Sequence, residues 1–86
     1  MDEFYFISFE STHHALQAEK YLKDNKFSIT VIPTPREVTL SCGLSIKINS
    51  GGIDSIKGMI DEGMIRVKGI YFLKKINGMR NIEKLY

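Results

Sequence analysis

Apolar residues fall along this chain in short runs of two different periods. Residues 4–9 form an apolar and aromatic run, which predicts a strand. Ser11 or Thr12 then offers an N-cap, and Ala15, Ala18 and Leu22 follow at helical spacing. Glu19 and Lys23 stand at i,i+4, where opposite charges support a helix. The pattern predicts a helix over residues 12–24. Phe27, Ile29 and Val31 alternate with Ser28 and Thr30, the period of a second strand. Pro33 stops it, because proline cannot donate to a ladder. Leu44, Ile46 and Ile48 alternate with Ser45 and Lys47, giving a third strand. Ser50-Gly51-Gly52 reads as a turn, and Ile53, Ile56, Met59 and Ile60 mark a second helix. Gly58 weakens that helix by about 1 kcal/mol relative to alanine, and Gly63 is placed to end it. Val67 and residues 70–73 predict a fourth strand.

The order β-α-β-β-α-β predicts an α+β domain of the ferredoxin-like kind. Its sheet has four antiparallel strands, with both helices on one face. That layout leaves the other sheet face open, and the first and fourth strands, neighbours in it, are apolar on both sides. Phe4 and Phe6 oppose Tyr5, Ile7 and Phe9, and Ile70 and Phe72 oppose Tyr71 and Leu73. One set must face away from the helices, and a contiguous apolar patch usually marks an interface. Two covers are expected for it. One is a second copy, meeting the patch through Tyr5, Ile7, Phe9, Tyr71 and Leu73. The other is the chain's own tail, residues 76–86. There Ile76, Met79, Ile82 and Leu85 recur at spacing three, as on a helix folded back on the sheet. The expected organisation is one domain over residues 1–75, with this tail appended.

Composition narrows the function classes. The chain has 86 residues, enough for one core and too few for two. A hydrophobic share of 43% and a charged share of 26% suit a folded domain. The net charge of +2 is spread, without the concentrated basic face of a nucleic-acid binder. No apolar stretch approaches the ~20 residues that span a bilayer, and the acidic N-terminus lacks the basic start of a signal peptide. No cofactor fingerprint, catalytic triad or acid/base pair is visible. His13 and His14 are adjacent, so on a helix they point about 100° apart and share a metal poorly; no metal set is expected. One cysteine excludes an internal disulfide. A reducing cytoplasm is the expected compartment.

The chemistry, if present, lies between the second and third strands. Residues 33–43 read Pro-Thr-Pro-Arg-Glu-Val-Thr-Leu-Ser-Cys-Gly. This exceeds the two to five residues of an ordinary hairpin loop, and longer loops tend to be functional. Pro33 and Pro35 stiffen it by fixing φ at two of three residues. Gly43, after Cys42, permits a positive φ or the close approach of another backbone. With an ordinary pKa near 8.5, only ~3% of a cysteine is thiolate at pH 7. Arg36 within ~4–6 Å would lower that pKa by ~1–3 units. Read from residues alone, a lone cysteine such as Cys42 is more often a small apolar filler, and Arg36 a surface partner of Glu37.

One resemblance bears on that choice. Phe9-Glu10-Ser11-Thr12, the helix residues Ala15, Glu19, Lys20 and Leu22, then Ile32-Pro33-Thr34-Pro35-Arg36-Glu37 and Ser41-Cys42-Gly43-Leu44 are together similar to the selenium/sulfur carrier protein-like family. The similarity covers roughly residues 4 to 75, and the Pro-Thr-Pro-Arg-Glu…Cys-Gly part is its specific portion. It implies that Cys42 is the carrier thiol, supported by Arg36, Gly43, Pro33, Pro35 and Glu37. It also implies sulfur or selenium donor and acceptor proteins as partners. The Cys-Pro-x-Pro motif of other sulfur carriers is absent, since Gly43-Leu44 follows Cys42. Such a chain would be a carrier more than an enzyme with its own turnover. The competing reading is a non-catalytic interaction or small-ligand-binding module acting through the apolar sheet face.

Overall fold

The computed structural model describes residues 3–35, 38 and 43–86. The elements run β1 (Glu3–Ser8), α1 (Thr12–Asp24), β2 (Ile29–Pro33), β3 (Leu44–Ile48), a one-turn 3₁₀ segment (Ser50–Gly52), α2 (Ile53–Asp61), β4 (Gly69–Ile76) and β5 (Met79–Lys84).

Side-chain and backbone caps set the helix limits. Ser11 is the N-cap of α1, its hydroxyl accepting from the His14 N–H at 3.3 Å. At the other end the Lys26 N–H donates to the Lys23 carbonyl and the Phe27 N–H to that of Leu22. α2 closes in the same way, Gly63 donating to Ile60 and Met64 to Met59. This paired closure needs a left-handed residue. Gly63 takes it at φ +78° without penalty, whereas Lys26 takes it at φ +66° and bears the cost of a Cβ there.

The strands pair in the order β2-β3-β1-β4-β5, each neighbouring pair antiparallel. The α+β class holds, but the sheet has five strands, not four. The tail is not a helix laid on the sheet: β5 adds to its edge beside β4, through Asn77-Gly78. Both turn residues have positive φ, +53° and +80°, as a two-residue type I′ turn requires. The spacing of three among Ile76, Met79 and Ile82 is incidental. Ile76 and Met79 face each other across the turn, and Ile82 stands opposite Leu73.

The core sits between the helices and one sheet face. Ala15, Ala18 and Leu22 of α1 and Ile56 of α2 pack with Ile7, Phe9, Ile46, Ile48 and Ile70. None of the described helices is long and apolar enough to cross a membrane.

Register corrects the expected contact patch. Tyr5 pairs with Phe72 and Ile7 with Ile70, whereas Phe6 pairs with Tyr71 and Phe4 with Leu73. Directly opposed residues share a face. Tyr5, Ile7 and Phe9 therefore belong to the helix side, and Ile7 and Phe9 are wholly buried there. Tyr71 and Leu73 belong to the opposite face with Phe4 and Phe6. The five residues cannot meet a second copy together. The opposite face is itself largely covered: Phe6 has no exposed surface and Leu73 only 3%.

Candidate functional site

The long connection leaves β2 and enters β3 through a clamp. The last ladder pair is Pro33 with Leu44. Beyond it, the Thr34 N–H donates to the Gly43 carbonyl at 3.1 Å, so the two ends of the connection stay one bond apart. The Thr34 and Ser45 hydroxyls meet at 2.7 Å. Ser45 is fully buried, so that bond satisfies a group that water cannot reach. Pro35 is buried as well. The Val38 N–H donates to the Pro35 carbonyl at 3.0 Å. A proline donates nothing and loses little entropy when fixed, which suits Pro33 and Pro35 to this entrance.

The expected site residues divide between described and undescribed positions. Pro33, Pro35 and Gly43 frame the mouth of the connection. Cys42, Arg36 and Glu37 lie outside the described residues. Gly43 differs from the expectation in one respect. Its φ is not among the positive ones, and a Cβ placed there meets nothing within 4 Å. Among the described residues neither backbone conformation nor crowding requires glycine at 43.

Other groups do not assemble a site. His14 is tied by its Nδ1 to the Ser11 hydroxyl at 2.9 Å, and the His13 and His14 rings stand 5.9 Å apart and tilted. Among the described residues no set of His, Cys, Asp and Glu could hold a metal ion. A cleft of about 660 Å³ between Glu3, Phe4, Tyr5, Lys47, Ile48, Asn49 and Phe72 opens at the far end of β3, away from Gly43. Lys47 lies over the Phe4 ring there, 5.2 Å from its centre, and the lining has no cysteine, serine or histidine. The Tyr86 hydroxyl donates to Asp61 Oδ1 at 2.7 Å. That hydrogen bond raises the phenol above its ordinary value, with desolvation and the Asp61 charge adding to it.

Comparison with known proteins decides the family. The model of the family described as "Putative Se/S carrier protein-like" matches residues 4–72, most of the chain. The chain belongs to this family. The matched range runs from β1 into β4 and includes the whole Pro33–Leu44 connection, Cys42 among it. β5 lies outside the match. No curated protein and no solved structure matches the chain.

Sequence reasoning missed the Thr34–Ser45 clamp. Alternation only set Ser45 with Lys47, opposite Leu44, Ile46 and Ile48. The available signal was Thr34 between two prolines, a hydroxyl that the restricted backbone aims in a fixed direction.

Proposed function

We propose that this chain carries sulfur or selenium on Cys42. The observation that carries the reading is the family match across the clamped connection. In the sequence Cys42 directly precedes Gly43, whose carbonyl accepts from the Thr34 N–H at the mouth of the connection. In the proposed exchange the Cys42 thiolate attacks the outer sulfur of a donor persulfide. The donor's S–S bond breaks and its thiolate leaves, while an S–S bond forms on Cys42. An acceptor thiolate then attacks the outer sulfur in turn and releases Cys42. No external oxidant is consumed, and selenium follows the same path. With one cysteine in the chain, the acceptor must be another molecule. Arg36 would favour the thiolate by charge, and exposed Gly43 leaves room for the partner's backbone. A reducing compartment such as the cytoplasm suits such a thiol.

We infer further that β2-β3-β1-β4, with both helices in one core, is a ferredoxin-like unit to which β5 is an addition. The interaction-module reading loses its named contact set, because Ile7 and Phe9 are core residues.

Intact mass after incubation with a persulfide donor tests the carrier. The parent should gain one sulfur or selenium mass, lost again on adding a thiol acceptor. Cys42→Ser should fold and gain nothing. A parent that gains no mass while Cys42 is open to alkylation would sink the reading.

A further inference from the structure

Counted along the chain the positive charges are spread, but the strand register gathers several of them. Lys47 stands opposite Phe6, Phe6 opposite Tyr71, and Tyr71 opposite Lys84. Directly opposed residues share a face, so these four form one row across β3, β1, β4 and β5. The next row is Phe4, Leu73 and Ile82, and beyond it Lys75 stands opposite Arg80. All three rows lie on the face away from the helices.

Charge is sorted between the two sides of the sheet. On this face Lys47, Lys75, Arg80 and Lys84 are all exposed, and no carboxylate joins them among the described strand residues. On the helix side the signs are mixed: Glu3 stands opposite Lys74, and Glu83 opposite Phe72. The cations form a frame. Neighbouring strands are ~4.8 Å apart, so Lys47 and Lys84 bracket ~14 Å across the sheet, and ~14 Å separates Tyr71 from Lys75 along β4. Rings lie inside the frame. Tyr71 stacks on Phe6 with ring centres 5.4 Å apart, and Phe4 tilts against Phe6 at 5.9 Å. Phe4 and Tyr71 keep part of their surface open, whereas Phe6 and Leu73 are sunk between their neighbours.

We propose that this face binds single-stranded nucleic acid. Phosphates meet the cations of the frame, and bases stack against Tyr71 and Phe4. A basic surface interleaved with aromatic rings is the combination that holds an unpaired strand, since every base has a face to stack and every linkage a negative charge. A sheet face of this width accommodates two or three bases. Other anionic partners fit less well. A lipid surface is met by apolar side chains that stand proud of the protein, and here Phe6 and Leu73 lie below the cations. An acidic peptide would engage the lysines and leave the rings unused. The site does not use Cys42, so its failure leaves the carrier reading standing.

The test is fluorescence anisotropy of labelled oligouridylate and oligothymidylate of about ten nucleotides, titrated with the full chain at several salt concentrations. Binding of either strand by the parent supports the face. The plot of log affinity against log salt should fall with a slope of about −2 to −3, as for three or four phosphates neutralised. Lys84→Glu and Lys75→Glu, at exposed positions, should each flatten that slope by at least about 0.7. Lys20→Glu makes the same charge change on α1 and should leave it parental. Tyr71→Leu should weaken binding at least about fivefold, and Tyr71→Phe, which keeps the ring, should not. No anisotropy change at low salt overturns the proposal. Equal flattening in Lys20→Glu assigns binding to net charge and overturns it too. Parental affinity in a folded Tyr71→Leu leaves a surface for any polyanion and overturns the stacking. Phosphatidylglycerol vesicles bound through Lys84, when neither oligonucleotide binds, identify a lipid surface instead.

Discussion

Two hairpins of this sheet turn the chain through the same angle by opposite means. Between β4 and β5 the turn is Asn77-Gly78, two residues whose positive φ values fit the twist of the strands. Between β2 and β3 the connection runs from residue 34 to residue 43. It is anchored at its mouth by one backbone and one side-chain hydrogen bond. Reversing the chain needs only the former. The latter is longer than a reversal requires, and it is where the single cysteine lies.

Substitutions can press on that contrast. The short turn depends on local conformation, so Gly78→Val forces a β-branched residue to positive φ. It should cost about 2 kcal/mol in denaturant unfolding; a loss below 0.5 kcal/mol would mean that β5 adds little stability. The long connection depends on its clamp. Thr34→Val keeps the shape and leaves the buried Ser45 hydroxyl unpaired, so about 1 kcal/mol should be lost. A neutral result would show that the clamp is dispensable. Gly43→Ala should change stability by less than about 0.5 kcal/mol, because among the described residues neither φ nor space requires glycine there. If that variant folds normally yet transfers poorly, the glycine serves the partner.

The smallest effect concerns the chain beyond β5. Tyr86 donates to Asp61, and its phenol is raised above the ordinary 10.0. A group raised in the fold contributes stability below its unfolded value, and that contribution is lost as pH climbs through the folded one. Parent and Tyr86→Phe should therefore differ in thermal midpoint at pH 8 and converge above pH 10. A difference that does not shrink with pH would assign the effect to packing.

Much of this fold was legible in local pattern. Residues 12–24 and 44–48 were read as the helix and strand that α1 and β3 form, because one periodic face of each meets the core. β5 escaped because a spacing of three reads as a helix, whereas the strand signal there is the Asn77-Gly78 pair, which has its own backbone chemistry. The apolar faces were grouped wrongly for a different reason. Alternation tells which residues of one strand share a side, and only register tells which sides of two strands coincide. Of the candidate site, residue types nominated Cys42 and Arg36, which lie outside the described residues. The buried Ser45 of the clamp was not legible, since a serine in a strand looks solvated until its neighbours are known.

β5 also changes what the molecule presents to its surroundings. Without it, β4 would form the border of the sheet, and Ile70-Tyr71-Phe72-Leu73 is the unbroken apolar, β-prone type of run that templates growth of further strands. With it, the border reads Met79-Arg80-Asn81-Ile82-Glu83-Lys84, with three charges in six positions. Charged side chains along an open edge discourage other chains from adding to it. The two residues of the Asn-Gly turn thus give the domain a colloidal safeguard against permanent association with other chains.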